Sequence, residues 1–209
     1  MRIIALERVR DAIIEGRIKP GERLIERTLA ERLGVSRSVI REVIRNLESE
    51  GFIENTLSGP RLMTLSIDQA QQIYEIRLLL ESSAAAACAE AATRETGGQL
   101  RAALDEIRQA HETHSSNGAL RATTRFYQII FETGGHDIAW EIVQRLNGRI
   151  SQMRALTLSA RGRQAAGIER LSRIVTAIED RNPQAASDAC REHIREASHI
   201  AASMLVEKQ

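Results

Sequence analysis

The sequence predicts a mainly α-helical chain: three helices and a β-hairpin at the N-terminus, then an all-α bundle of six helices. Three observations predict it. Apolar residues recur at three- and four-residue spacing before residue 50 and again from residue 66 to the end, the pattern of helices that bury one face. Between these regions, Phe52–Asn55 and Arg61–Leu65 can pair as strands across Thr56–Pro60. Only three prolines interrupt 209 residues, two of them at breaks the pattern marks anyway.

The first helix is predicted from Ile4 to Glu15, with Leu6, Val9 and Ile13 inward and Gly16 ending it. Lys19-Pro20-Gly21-Glu22 is a turn, with proline presetting φ at its first central position and glycine supplying positive φ at the second. A short helix from Glu26 to Leu33 turns Leu29 and Leu33 inward and leaves Arg27 exposed. Gly34 stops it in the left-handed conformation, and Ser36 caps the next helix. That helix runs to Glu50, capped by Gly51, and buries Ile40, Val43, Ile44 and Leu47. Arg37, Ser38, Arg41 and Arg45 project from its other faces. Arginines beside a buried stripe suit a helix lying in the DNA major groove, where guanidinium binds guanine O6 and N7 together; the plainer alternative is a solvated surface helix.

Ser66 caps a long helix with a stripe of Ile73, Ile76, Leu80, Ala84 and Ala87, ending near Thr93. Gly97-Gly98 breaks the chain before Leu100, Leu104, Ile107 and His111, and Ser115–Gly118 forms the next loop. Leu120 to Thr133 is a third bundle helix, closed by Gly134-Gly135. Asp137 caps a fourth, with Ile138, Ile142, Leu146, Ile150 and Met153 inside. A loop spans 159–167, then Ile168, Leu171, Val175 and Ile178 mark a fifth helix. Asn182 caps the last, with Pro183 in its first turn and Ala186, Cys190, His193, Ala197 and Ile200 along it.

Composition narrows the function classes. The apolar and charged fractions, 43% and 27%, fit a soluble globular protein, and 3% aromatics leave the core to Leu, Ile, Val and Ala. A formal net charge of +1 names no partner, but up to Ser66 12 Arg/Lys face 10 Asp/Glu, against 17 facing 18 afterwards, the sign an N-terminal DNA binder needs. Cys88 and Cys190 have no metal-ligand spacing and read as small buried residues, which fits a reducing cytoplasm. No apolar run reaches about 18 residues and no cleavable leader opens the chain, so neither membrane spanning nor secretion is expected.

Gly16-x-x-x-Pro20-Gly21-x-x-Leu24, Leu29-Ala30-x-x-Leu33-Gly34-Val35-Ser36-Arg37, Val39-Ile40-Arg41-Glu42 and Leu47-Glu48-x-Glu50-Gly51-Phe52 together resemble the GntR family of bacterial transcription regulators. The resemblance implies a winged helix-turn-helix over 1–66. It makes Arg27, Arg37 and Arg41 base-contacting, Ser36 and Ser38 phosphate-contacting, and Gly59 the wing glycine, with Arg45 on the same exposed side of the reading helix. The wing departs from the family's frequent Asn-Arg-Gly, carrying Leu57-Ser58-Gly59 instead.

Residues 67–209 resemble the FCD effector and dimerisation domain of the FadR subfamily, in its shorter, VanR-like six-helix version. Tyr74-Glu75-Ile76-Arg77-x-x-Leu80-Glu81, Phe126 before Gly135, and Asn182-Pro183-x-Ala185-Ala186 through His193-Ile194 carry the likeness. Many such domains hold a metal with one Asp and three His. The matching positions here are Thr123, Tyr127, Leu171 and His193, too few donors for a transition metal, so neither a metal nor another cofactor is expected. Arg77, Thr123, Tyr127 and His193 become the candidate effector contacts, suited to a carboxylate. Arg77 has a second reading, an ion pair with Glu81 four residues on; His193 also reads as a core histidine, and His111 and His114 as a solvated face.

The expected function is a DNA-binding regulator, a repressor type, that binds a palindromic operator as a homodimer and responds to a small metabolite. A DNA-binding protein whose bundle only dimerises is the alternative. An enzyme is a remote third, since the sequence has no Gly-rich phosphate loop, no paired His ligands and no nucleophile beside a base, and hence no catalytic residues to name.

Overall fold

The computed structural model of the chain describes residues 1–158 and 163–206. It is mainly α-helical, with three helices and a two-stranded antiparallel hairpin followed, among the described residues, by helices up to Val206. By its contacts the chain divides into two units, Met1–Leu65 with Gln144–Gln152, and Ser66–Val143 with Met153–Gln209.

In the first unit, α1 (Arg2–Ile14), α2 (Glu26–Leu33) and α3 (Arg37–Ser49) surround a core of Val9, Ile13, Leu24, Ile40, Val43, Leu47, Phe52 and Leu62. Glu22 N donates to Lys19 O at 2.9 Å across the turn, where Gly21 has φ +79°. Gly34 stops α2 at φ +65°, and Ser36 Oγ caps α3 by accepting from Val39 N at 3.3 Å. These local features follow from side-chain chemistry alone, so the sequence shows them directly.

The hairpin corrects the expected loop. β1 (Ile53–Thr56) and β2 (Gly59–Leu62) pair with Thr56 opposite Gly59, so only Leu57 and Ser58 form the tip. The Thr56 hydroxyl donates to Gly59 O and accepts from Ser58 N, closing a tighter turn than Thr56–Pro60. Gly21 N donates to Leu62 O, Leu62 N to Glu22 O and Leu24 N to Pro60 O, so the chain before α2 lines the other edge of β2.

Residues 144–152 belong to this unit through backbone contact. Gly148 N donates to Glu50 O at 2.6 Å, and a Cβ on Gly148 would stand 2.4 Å from Phe52 N. Gly51, at φ +78°, meets Arg145 O in the same way, a Cβ there being 2.7 Å from it. No side chain fits either crossing without moving backbone. Gly148→Ala is therefore expected to destabilise this unit by ~1–3 kcal/mol, read as a lower melting temperature.

In the second unit, α4 (Ile67–Ala91) starts with a capping box, Ser66 with Gln69. The expected stripe holds in part: Ile73 and Ala84 are buried and Leu80 and Ala87 half-buried, but Ile76 is exposed, and Ala70, Tyr74, Arg77, Glu81, Ala85 and Cys88 share the buried face. The helix has apolar residues nearly all round, so periodicity alone could not choose the face; the Arg77–Glu81 pair lets two charged residues occupy it. Gly97-Gly98 does not break the chain. The break is at Ala92–Thr93, Thr93 caps α5 (Arg94–Glu112), and both glycines lie inside that helix. A Cβ on Gly97 would be 3.0 Å from the Glu179 side chain, so this glycine admits a neighbour rather than ending a helix.

Ser115 likewise caps α6 (Ser116–Thr133), placing Ser116–Gly118 inside a helix instead of a loop. The expected fourth helix is two, α7 (Asp137–Arg145) and α8 (Asn147–Leu158), parted at Leu146. Gly148 sits in the first turn of α8, where an amide has no intrahelical acceptor, and finds Glu50 O instead. Trp140 and Val143 are the buried side of α7; Ile138 and Ile142 are exposed at 71% and 44%, contrary to expectation. Residues 159–162 of the expected loop lie outside the described residues, and from residue 163 the chain is already helical as α9 (Arg163–Glu179). Asn182 Oδ1 accepts from Ala185 N at 3.0 Å, and α10 (Pro183–Val206) completes the bundle. Phe126, Ile130, Phe131, Leu100, Leu104, Ile174, Ile178, Cys190 and Ile194 fill its core.

Candidate nucleic-acid interface and buried bundle cluster

Along α3 the apolar stripe faces inward and the polar positions face out. Ile40, Val43 and Leu47 are fully buried, whereas Ser36, Arg37, Ser38, Arg41 and Arg45 are exposed. Arg27 on α2 is exposed as well and stands 3.8 Å from Glu31. The Ser36 and Ser38 hydroxyls are 2.8 Å apart, both at the end of α3 where free amides favour an anion.

A residue missed by the sequence reading organises this face. Glu26, the first residue of α2, accepts from Arg41 Nε at 3.1 and 3.0 Å and from Arg37 Nη2 at 3.4 Å. One carboxylate thus holds both candidate base-reading guanidiniums. The pairs are largely exposed, so they contribute little to stability, roughly 0–1 kcal/mol, and act chiefly on orientation. Its signal in the sequence was only an acidic residue beside Arg27, because the pairing spans 11 and 15 residues.

In the second unit the candidate effector residues meet unevenly. Arg77 is buried and paired with Glu81, Nε to Oε1 at 2.8 Å and Nη2 to Oε2 at 3.3 Å. The ion-pair alternative is thus what the geometry displays. Its guanidinium also lies over the Tyr74 ring, 5.2 Å from the centroid. Burial pulls the Arg77 proton affinity down, but Glu81 more than offsets this, and the group stays above its ordinary value. Arg77 Nη1 is buried without a hydrogen-bond partner, and the Tyr127 hydroxyl is buried beside the Cys190 thiol.

Arg154, on α8, was not anticipated. It lies over the Tyr127 ring, 5.2 Å from the centroid, and burial together with the nearby Arg77 charge pulls it down to about 10. Burial pushes the Tyr127 hydroxyl well above its usual range, with Glu81 and Cys190 adding and the two arginines opposing. Arg77, Glu81, Tyr127, Arg154 and Cys190 therefore share one electrostatic environment. Thr123 takes a different direction, its hydroxyl donating to Ala119 O of its own helix at 2.7 Å. His193 is half-buried, one helical step past Cys190 on α10. Leu171 is buried. Of the four positions only His193 offers a ring nitrogen, and among the described residues no three His, Cys, Asp or Glu are grouped to hold a metal ion.

A family model described as "FCD domain" matches residues 72–196, and one described as "Bacterial regulatory proteins, gntR family" matches residues 5–56. The chain belongs to the FCD-domain group of gntR-family regulators. It is similar to the uncharacterized HTH-type transcriptional regulator YdhC of Bacillus subtilis (strain 168), 28% identical over 87% of this chain and 82% of that protein. It is also similar to the HTH-type transcriptional repressor RspR of Escherichia coli (strain K12), 24% identical over 91% and 84%. The solved structure of E. coli McbR/YncC shares the fold, with a TM-score of 0.76, 22% identity, and 99% and 97% of the two chains covered. The gntR-family chain is thus a transcriptional regulator, and no helix among its described residues is long and apolar enough to cross a membrane.

Proposed function

We propose that this gntR-family chain is a cytoplasmic regulator that binds a palindromic operator as a homodimer, its DNA affinity set by a small anionic metabolite in the bundle. The observation that carries the DNA half is α3, which buries one stripe completely and exposes Arg37, Arg41 and Arg45 on another. Arg27 and Gly59 belong to the same reading, with Ser36 and Ser38 as phosphate contacts. RspR is a repressor by name, which favours repression as the direction.

The homodimer is supported by large apolar side chains left exposed on two bundle helices, Ile76 and Leu79 on α4 and Ile138 and Ile142 on α7. A two-fold protein then matches a two-fold site. Sedimentation at micromolar concentration is expected to give a dimer; a monomer with and without DNA would refute it.

For the effector, the unpartnered Arg77 Nη1 favours a carboxylate or another hydrogen-bonding anion, with Tyr127 beside it, His193 and Thr123 at the edge and no metal between. Elemental analysis of purified protein is expected to find no stoichiometric transition metal, and about one zinc or nickel per chain would overturn this. A second reading has its own support. Glu81 already neutralises Arg77, which suits a bundle that only dimerises. A melting shift on adding small carboxylates separates the two readings: a shift favours the regulator with an effector, and none across a broad panel favours the dimerisation bundle.

A further inference from the structure

The wing tip carries no cation of its own, since Leu57-Ser58-Gly59 occupies it. The fold brings one from elsewhere. Glu22 and Leu24 hydrogen-bond to β2 on either side of Arg23, and Arg23 forms an antiparallel bridge with Arg61. This fixes the Arg23 backbone on the wing's edge. Its side chain then lies along the hairpin to the tip, where a Cβ on residue 59 would stand 3.3 Å from Arg23 Nε and 3.4 Å from Nη2. Gly59, at φ +106°, has both the conformation and the missing side chain that let the guanidinium rest there.

From the other side, Arg61 Nη2 donates to Ser58 Oγ at 2.9 Å. Two guanidiniums therefore flank a two-residue tip. Among the described residues neither is in an ion pair, in contrast to Arg37 and Arg41 with Glu26 and Arg27 with Glu31. Arg23 is exposed. An exposed, unneutralised guanidinium whose backbone is anchored in a sheet is preorganised for a phosphate, which it can bind bidentately.

We propose that Arg23 is the wing's DNA contact, binding a backbone phosphate in place of the basic residue the tip lacks, with Arg61 holding the tip through Ser58. The proposal rests on the DNA-binding reading above. Because a phosphate carries no sequence information, Arg23 adds affinity and salt dependence without choosing bases. Gly59 acts here as a seat for Arg23 rather than as a contact by itself.

The test uses the full chain and two duplexes, one of mixed sequence and one selected from a random library by the wild-type protein. Affinity is followed by fluorescence anisotropy against salt. Arg23→Gln is expected to weaken both duplexes by the same factor and to lower the slope of log K against log [salt] by about one per subunit. Arg23→Lys should restore the slope, and melting temperatures of both variants should match the wild type, which separates a phosphate contact from a role in folding. An unchanged slope for Arg23→Gln, or a loss confined to the selected duplex, overturns the assignment. Arg37→Ala is the control. If it loses the selected duplex while Arg23→Gln does not, this inference alone fails; if the wild type selects no sequence and binds neither duplex, the DNA-binding reading fails with it.

Discussion

Arg37→Ala and Arg41→Ala are each expected to cost ~1–3 kcal/mol on selected operator DNA, roughly 5- to 150-fold in affinity, and to relax base choice. Both side chains leave the exposed side of a helix whose other side is fully buried, so truncation removes a contact without opening the core. Glu26→Gln should act in the opposite sense on affinity. It removes a negative charge that holds both guanidiniums, so binding to mixed-sequence duplex should tighten, while the ratio of selected to mixed-sequence affinity falls as the arginines lose their orientation. The measurement is anisotropy on both duplexes at fixed salt. A Glu26→Gln protein with both affinities unchanged would show that the carboxylate does not govern the reading face.

The second large effect is expected at Glu81. Replacing it by Gln leaves the Arg77 charge buried beside Tyr74 and Tyr127 with its carboxylate partner removed, and breaking a buried pair from one side costs ~3–5 kcal/mol. For a chain of this size that is a drop of roughly 6–20 °C in melting temperature. The double change Arg77→Met with Glu81→Leu should recover most of the loss, because removing both charges also removes their desolvation. If Glu81→Gln melts like the wild type, the pair is not the enclosed unit described. The double variant also probes the effector: it should keep the fold and lose any carboxylate-induced melting shift.

What could be read from the sequence was what local chemistry determines. Gly34 and Gly21 need positive φ, Ser36 and Asn182 have caps to make, and Ile40, Val43, Ile44 and Leu47 bury one stripe whatever surrounds them. The errors arose where a distant segment decides. Gly97 reads as a breaker until Glu179 arrives beside it, and the long fourth bundle helix reads as continuous until Gly148 gives its amide to Glu50. The α4 stripe chose Ile76 because an arginine and a glutamate at i and i+4 look like surface residues unless one knows that they bury each other. The site followed the same rule. Arg27, Arg37 and Arg41 came from a local motif, whereas Glu26, Arg23 and Arg154 gain their meaning from partners 15, 36 and 27 residues away, at Arg41, Gly59 and Tyr127.

Selection of a duplex from a random library by the wild-type chain decides whether the α3 face reads DNA sequence. The expected result is enrichment of an inverted repeat with half-sites about one helical turn apart, each containing a guanine whose substitution weakens the wild type but not Arg37→Ala or not Arg41→Ala. Enrichment of no sequence, or of one that both variants bind as tightly as the wild type, would contradict it.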